Sequence, residues 1–572
     1  METMVDIHAV MEKVNMRLGL SFQPIESEDP YVAIYLGKYN SFGNLKIGFL
    51  SSFPYSLPAI MVMDPQTPRL HIDNKGKICL THESSLLLDT AKPEQIVIDS
   101  LKMAERVLSI TPNTQEYEDE LKKEFLSYWG QGDYGTVIWS IFPLHWGDHI
   151  LQGSLFRMER GHILAKSRAD ADSFLHDYYG LPMTSGVEGT AWIIPLKESA
   201  KMPSPSRQYT WSDIIRYFKE NAEENIRQKF WELSGCPVKE KVQYFVFTVP
   251  GKTGDIAFGF AVSFKNRHKL PMKVSTTSAT CQLDVLRLDS DFLLSRGGAK
   301  TSLKEKRVLL LGCGSVGGFV ASNLCQMGIG KLDLLDKDFF SPHNVYRHFM
   351  GFEAIRKGGG AKADLLRDEL CKKYPDIDID PLNYVDRSVE SVILGNPGRL
   401  LQYDVIVSAL GEPTLNLAIN DLLITEKIQV PFIVCFNEPY GIGGHVITTN
   451  LSDESCLRCF YSNLEDGGLC SFLGSLTEPN QNFVKSLSGC AGSFVPYSTL
   501  DSQQTALYTS RKVLSVLDGS LNHNDFFTWR GDSSLLENQG FHPSAYFYSG
   551  PLAEPFRNPH CPTCNRRKEQ HS

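Results

Sequence analysis

The sequence predicts an α/β protein in which an α+β N-terminal region and a mixed α+β middle region precede a doubly wound parallel sheet. Three observations carry this. From about residue 285 onward, apolar strand-like runs alternate with helical patterns, the order that parallel βαβ folds require. Up to about residue 130, a helical opening is followed by alternating strands, a proline-broken stretch and two more helices. Between them, roughly 135 to 280, aromatic and β-branched residues dominate.

Taken in order, Val5, Ile7, Val10, Met11 and Val14 fall near helical spacing. Strands are expected over Tyr31 to Tyr39, Gly43 to Leu50 and Ala59 to Met63. Between the last two, SFPYSLPA holds Pro54 and Pro58, which exclude a helix. Helices are expected over 94 to 111, after Pro93, and over EYEDELKKEFLSYW. In the middle region TVIWSIF, TAWIIPL and VQYFVFTV read as strands, and SDIIRYFKENAEENIRQKFWEL as one long helix capped by Ser212. No chemical motif stands out there, so a scaffold or linker role is expected. In the last region RVLLL, KLDLL, YDVIVSAL and VPFIVCF are the buried strands, and the tail RRKEQHS is expected to fray. The domain limits are therefore 1–130, 135–280 and 285–572.

The chain has 572 residues, is 42% hydrophobic and 22% charged, and carries a net charge of -9 spread along its length. This is globular composition and disfavours a nucleic-acid binder. The opening METMVDIHAVMEKVN has neither the basic nor the apolar part of a signal peptide, and no apolar run reaches bilayer length. A cytoplasmic protein that meets neither membrane nor nucleic acid is expected. Its 13 cysteines then suit thiols, metal ligands or nucleophiles better than disulfides.

Gly312, Gly314 and Gly317 form G-x-G-x-x-G directly after a strand. Glycine allows the tight turn and close approach of backbone N–H groups to phosphate, and a helix N-terminus adds positive potential. Asp336 closes the next strand, where an acid can bind ribose hydroxyls. A dehydrogenase shares these features. A longer run of polar residues separates the two: Asp336-Lys337-Asp338, then Asn344, Arg347 and, in GGGAKADLL, Lys362. This run resembles the adenylating family of ubiquitin-activating enzymes and bacterial sulfur-carrier activators, which implies a Rossmann-like domain using ATP and Mg2+. By that resemblance Asp336 holds the ribose, and Asn344, Arg347 and Lys362 face the triphosphate, where cations offset the charge that would repel an attacking carboxylate. Arg296 matches an arginine that the family places across a homodimer. The family's magnesium aspartate is replaced here by Gly411, and Glu412 is the carboxylate beside it.

Cys456-Leu-Arg-Cys459 and Cys561-Pro-Thr-Cys564 are two C-x-x-C pairs, a pattern suited to structural Zn2+. Bacterial members of the family carry such pairs at corresponding places. Cys490, in SLSGCAGSFVPYSTLDSQQTAL, resembles the active-site cysteine segment of ubiquitin-activating enzymes, and Cys470 in GGLCSF competes with it. Cys313, Cys325, Cys371 and Cys435 fall within strands or helices and are expected in the core.

Phe53-Pro54, Tyr55, Leu57-Pro58, His71, Gly76 and Ile78-Cys79-Leu80 match, in order, the ubiquitin-conjugating fold around its active cysteine. The family's H-P-N becomes His71-Ile72-Asp73, with Asn74 one residue on. An activating and a conjugating domain in one chain resemble the bacterial fusions of cGAS-like (CBASS) antiphage operons. The resemblance implies adenylation of a protein C-terminus, that of a cGAS-like nucleotidyltransferase, then thioesters on Cys490 and Cys79, then transfer to an acceptor protein or small amine. A sulfur-carrier activator for cofactor biosynthesis and a non-catalytic nucleotide-sensing adaptor are the alternatives.

Overall fold

In the computed structural model, the described residues are 5–569 apart from 64–69, 74, 81–85, 112–113, 130–134, 183, 185, 205–206, 234–241, 252–253, 265–276, 357, 375, 383–386, 453–454, 487–492 and 550–556. The chain divides into two compact units, residues 1–289 and 290–572. Among the described residues no helix is long and apolar enough to cross a membrane.

The first unit opens with the helix Ile7–Leu18, started by the Asp6 carboxylate accepting from His8 and Ala9 N–H and ended at Gly19 with φ 65°. It buries Val10, Met11 and Val14. These pack with the helix Pro93–Ser109 and an antiparallel sheet of β1 (Gln23–Ile25), β2 (Ala33–Lys38), β3 (Asn44–Phe49) and β4 (Ala59–Val62). The helix Gln115–Trp129 comes next.

The middle strands close into a barrel. They are β5 (Gly135–Ser140), β6 (Leu151–Arg157), β7 (His162–Ala165), β8 (Val187–Pro195), β9 (Val242–Val249), β10 (Ile256–Phe264) and β11 (Thr277–Arg287), in the order β10-β11-β5-β7-β6-β8-β9. Side-chain alternation splits β9 and β10 between two cores. Tyr244, Val246 and Ala257 pack with Ile193 and Leu283 inside the barrel. Phe245, Phe247, Phe258 and Phe260 face helices on its outer side. Strands buried on both faces need continuous apolar runs, hence VQYFVFTV. The single helix expected over 212–233 is two helices, Trp211–Asn221 and Glu224–Leu233, and its cap is Thr210 rather than Ser212. Thr210 and Asp213 form a reciprocal capping box. The break comes where Asn221 turns to other partners: its side chain accepts from Lys201 N–H and its carbonyl from Lys197 N–H.

The second unit is built on β12 (Arg307–Leu311), β13 (Lys331–Leu335), β14 (Asp378–Asp380), β15 (Val405–Ser408), β16 (Phe432–Asn437) and β17 (Gly443–Thr449). A two-stranded ribbon, β18 (Lys485–Ser486) with β19 (Ser493–Phe494), precedes the helix Thr499–Leu517 and β20 (Asp525–Arg530). The sheet order is β14-β13-β12-β15-β16-β17-β20. The first five strands run parallel, as expected, and β17 and β20 add an antiparallel edge. Connections leave β12 for β13 on one side and reach β15 on the other. This reversal leaves a crevice beyond the C-terminal end of β12.

Candidate functional sites

The glycine loop lies in that crevice. Gly312 has φ 90°, and a Cβ there would sit 2.8 Å from the Ala409 carbonyl oxygen. A Cβ on Gly317 would meet the Gly312 oxygen at 1.9 Å, so neither position accepts a side chain. Gly314 caps the helix Ser315–Gln326, whose N-terminus faces the crevice.

Asp336, just past β13, is buried and accepts from Cys313 N–H (2.7 Å) and Asp338 N–H (2.8 Å). Burial raises its carboxyl above the usual range, with the nearby Lys362 opposing. Lys362 begins the helix Lys362–Lys373, and its Nζ lies 2.8 Å from an Asp338 oxygen. The Asn344 carboxamide oxygen accepts from Ser341 N–H (3.0 Å), fixing the turn Pro342–Arg347. Arg347 ends that turn, and no hydrogen bond or ion pair ties it to another described residue.

Two cavities meet here. The larger, about 410 Å³, is lined by Asn344, Arg347, Lys362, Phe436, Asn437 and Tyr497 among others. The smaller, about 130 Å³, is lined by Asp336, Asp338, Lys362, Leu410, Glu412 and Leu415 among others. Gly314, Lys362, Ala409 and Leu410 belong to both. Gly411 stands at φ 66°, and Glu412 beside it is exposed. Among the described residues, no group of three metal-ligating side chains converges at this crevice. Arg296 is exposed at the end of the helix Ser290–Arg296 and lines neither cavity.

One residue that belongs to no sequence motif pins the glycine loop. His348 is buried, donates from Nε2 to the Cys313 carbonyl (2.6 Å) and accepts at Nδ1 from Met350 N–H (3.3 Å). Burial lowers its pKa to about 4, so it stays neutral in that tautomer at neutral pH. Only tertiary packing reveals this contact.

Cys490 lies outside the described residues. Phe494, Val495 and Tyr497, four to seven residues further on, line the larger cavity, and Tyr497 Oη is 3.0 Å from Ser315 Oγ on the glycine-loop helix. Cys470 is half-buried, and burial raises its thiol pKa. Cys313, Cys325 and Cys435 are buried, as expected of core thiols, and burial pushes Cys325 and Cys435 up to about 12. Cys371 is only partly buried, and its thiol is also raised.

Cys79 is exposed in the first unit, on a hairpin turned at Gly76 (φ 81°), where a Cβ would meet the Val62 oxygen at 2.3 Å. The Asp73 carboxylate accepts from Lys75 N–H (2.9 Å) and Lys77 N–H (2.8 Å), so it holds the turn. Asn74 lies outside the described residues. Cys79 N–H donates to the His71 carbonyl (2.6 Å), and His71 N–H donates to Tyr128 Oη. His71 Nε2 lies 3.4 Å from Glu120. Tyr128 and Glu120 come from the helix Gln115–Trp129, whose Phe125 and Trp129 are buried against the barrel. Trp129 Nε1 donates to the Leu283 carbonyl (2.8 Å). One helix thus ties the Cys79 hairpin to the barrel, a role for the middle region that no motif announced. Burial raises the Tyr128 pKa, so its hydroxyl keeps its proton. Tyr128→Phe leaves the His71 N–H unpartnered at a cost of about 1–3 kcal/mol. Differential scanning calorimetry is expected to show a lowered unfolding transition; an unchanged one contradicts a role for this bond in stability.

The four cysteines Cys456, Cys459, Cys561 and Cys564 are buried together. Their sulfurs stand 3.8 Å (456–561), 3.6 Å (459–564) and 3.4 Å (456–564) apart. Four thiolates about 2.3 Å from a central Zn2+ stand about 3.8 Å from one another, whereas a disulfide needs about 2.05 Å. The donor set and its spacing therefore fit zinc. Thr563 Oγ1 donates to Asp421 (2.9 Å), and Arg458 pairs with the same carboxylate (2.8 Å), joining both cysteine segments to the helix Pro413–Thr425.

Residues 291–489 match the ThiF family, and residues 34–134 match prokaryotic E2 family B. The chain thus carries a ThiF-family domain and, before it, a prokaryotic E2 family B domain. The fusion is similar to two proteins named ATP-dependent ubiquitin transferase-like protein Cap2. That of Pseudomonas aeruginosa is 22% identical over 89% of this chain and 90% of its own length. That of Escherichia coli is 29% identical over 51% of this chain and 46% of its own length, so the aligned part spans about half of that relative. Among solved structures, E. coli MccB with MccA-N7isoASN is 16% identical, with a TM-score of 0.32 over 48% of this chain and 72% of that one.

Proposed function

We propose that the fusion acts in the cytoplasm on the C-terminal carboxylate of a partner protein, a cGAS-like nucleotidyltransferase, and conjugates it to an acceptor amine in antiphage defence. The observation that supports this best is a single cavity lined by Arg347, Lys362 and, four to seven residues after Cys490, by Phe494, Val495 and Tyr497. ATP fits the crevice with its ribose on Asp336, its adenine between Leu410 and Leu415, and its phosphates toward Gly314, Arg347 and Lys362. A carboxylate oxygen then attacks the α-phosphorus, the α–β bridging bond breaks, and pyrophosphate leaves. Asn344, by fixing its turn, positions Arg347 to offset the charge. Magnesium would shield the phosphates, with Glu412 as the carboxylate available where Gly411 offers none. Arg296 would reach the triphosphate across a homodimer.

The Cys490 thiolate next attacks the acyl carbon, and AMP leaves. The Cys79 thiolate takes the acyl group from Cys490 by thioester exchange, and an amine takes it from Cys79, releasing the thiol. The barrel serves as the scaffold for the helix that carries Tyr128 and Glu120. The reading is tested by incubating the chain with α-labelled ATP and a cGAS-like nucleotidyltransferase. AMP should form only when that protein has its intact C-terminus, and AMP formation indifferent to the C-terminus contradicts the reading.

The four-cysteine cluster supports a structural Zn2+ that pins the C-terminal segment. Metal analysis is expected to give one zinc per chain, absent in Cys561→Ser, whose melting temperature should fall by several degrees or more. A zinc-free wild-type chain rules the site out.

A further inference from the structure

The larger cavity contains a hydrogen-bond donor that no other described residue uses. Asn437, the last residue of β16, lines it, and the Asn437 Nδ2 is buried with no hydrogen-bond partner among the described residues. Its orientation is set from behind. Trp529 Nε1 donates to Thr505 Oγ1 (2.7 Å), and Thr505 Oγ1 donates to Asn437 Oδ1. An indole N–H can only donate, so the Thr505 hydroxyl accepts from Trp529 and its own proton goes to Asn437 Oδ1, an arrangement that turns the Asn437 NH2 away from Thr505. Thr505 is fully buried and Trp529 nearly so, which excludes water as a competitor. Space for this relay comes from Gly444: a Cβ there would lie 2.4 Å from Thr505 Oγ1, 2.6 Å from Trp529 Nε1 and 3.0 Å from Asn437 Oδ1.

An oriented, buried donor with no partner among the described residues, facing a cavity, is placed to meet an acceptor that a ligand brings. Arg347, Lys362 and the helix N-terminus already supply cations and N–H groups for phosphate in the same cavity. Asn437 enters it from the end of β16, beside Phe436 and in the cavity that Phe494 and Val495 also line. We propose that Asn437 Nδ2 donates to the acyl oxygen of the substrate: first the carboxylate that attacks ATP, then the carbonyl of the acyl-adenylate. This rests on the adenylation reading and adds a residue that discriminates an acyl-adenylate from a bare nucleotide. The neutral amide donor strengthens as charge gathers on that oxygen, when thiolate attack turns the carbonyl into an oxyanion.

The test compares AMP with 5′-O-(N-glycylsulfamoyl)adenosine, which carries the acyl carbonyl without needing a partner protein. Calorimetric titration of the full chain gives the ratio of the two affinities. Asn437→Asp keeps the acceptor for Thr505 and removes the donor, and Asn437→Ser removes it without adding charge. Both are expected to cut the preference for the acyl compound by about 10- to 100-fold while AMP still binds. A preference unchanged in the serine variant overturns the assignment of Asn437 alone. Should the aspartate variant not fold, the serine variant decides. A wild-type chain that binds neither compound overturns the adenylation reading, and with it this assignment.

Discussion

Arg347→Ala is expected to lower partner-dependent exchange of pyrophosphate into ATP by about 10²–10³-fold, the range found when one preorganised donor is removed from a developing charge. Arg347 lines the larger cavity and has no carboxylate partner among the described residues, so its charge is available to a ligand. Lys362→Ala should act at least as strongly. Lys362 lines both cavities and balances the carboxylates of Asp336 and Asp338, so its loss leaves two acids facing the phosphates. The two variants differ in their side effects. Arg347→Ala breaks no hydrogen bond or ion pair among the described residues and should leave the melting temperature unchanged, whereas Lys362→Ala removes the 2.8 Å pair with Asp338. Undiminished exchange in both variants removes the phosphate assignment.

Loss of either proposed carrier, Cys490 or Cys79, is expected to reduce final conjugate to background, but with different species left behind. Thioester transfer is a chain of displacements, so removing a late carrier leaves the early one loaded. Cys490→Ala should abolish every ATP-dependent thioester while adenylate still forms. Cys79→Ala should retain a reductant-sensitive adduct on Cys490. Non-reducing gels and then peptide mapping separate these outcomes. Normal conjugation by Cys79→Ala makes the first region a binding module. A thioester retained in Cys490→Ala transfers the role to Cys470, whose thiol burial renders less nucleophilic.

The parts legible in the sequence are those fixed by local chemistry. The glycine spacing at 312, 314 and 317 announces a loop that only glycine can build, and the two C-x-x-C pairs announce a four-sulfur cluster. Strands and helices with clear periodicity fall within a few residues of their expected limits, as with Pro93–Ser109 and Phe432–Asn437. What the sequence concealed depends on partners distant in the chain. The helix break at Asn221 comes from bonds to Lys197 and Lys201. Barrel closure depends on β5 pairing with β11, nearly 150 residues away. Tyr128, His348 and Asn437 carry no motif, because each matters through a single contact with a backbone group or cavity. Gly444 was the one available sign of the Asn437 relay, and a lone strand glycine suggests only that something approaches closely.

The most direct test of the central claim is the intact mass of the wild-type chain after incubation with ATP, Mg2+ and the nucleotidyltransferase, read before and after reduction. The account predicts a species equal to the two proteins less one water, which disappears with thiol reductant and is absent when ATP is omitted. The absence of both this adduct and partner-dependent AMP, in a fully folded, zinc-loaded chain, would contradict it.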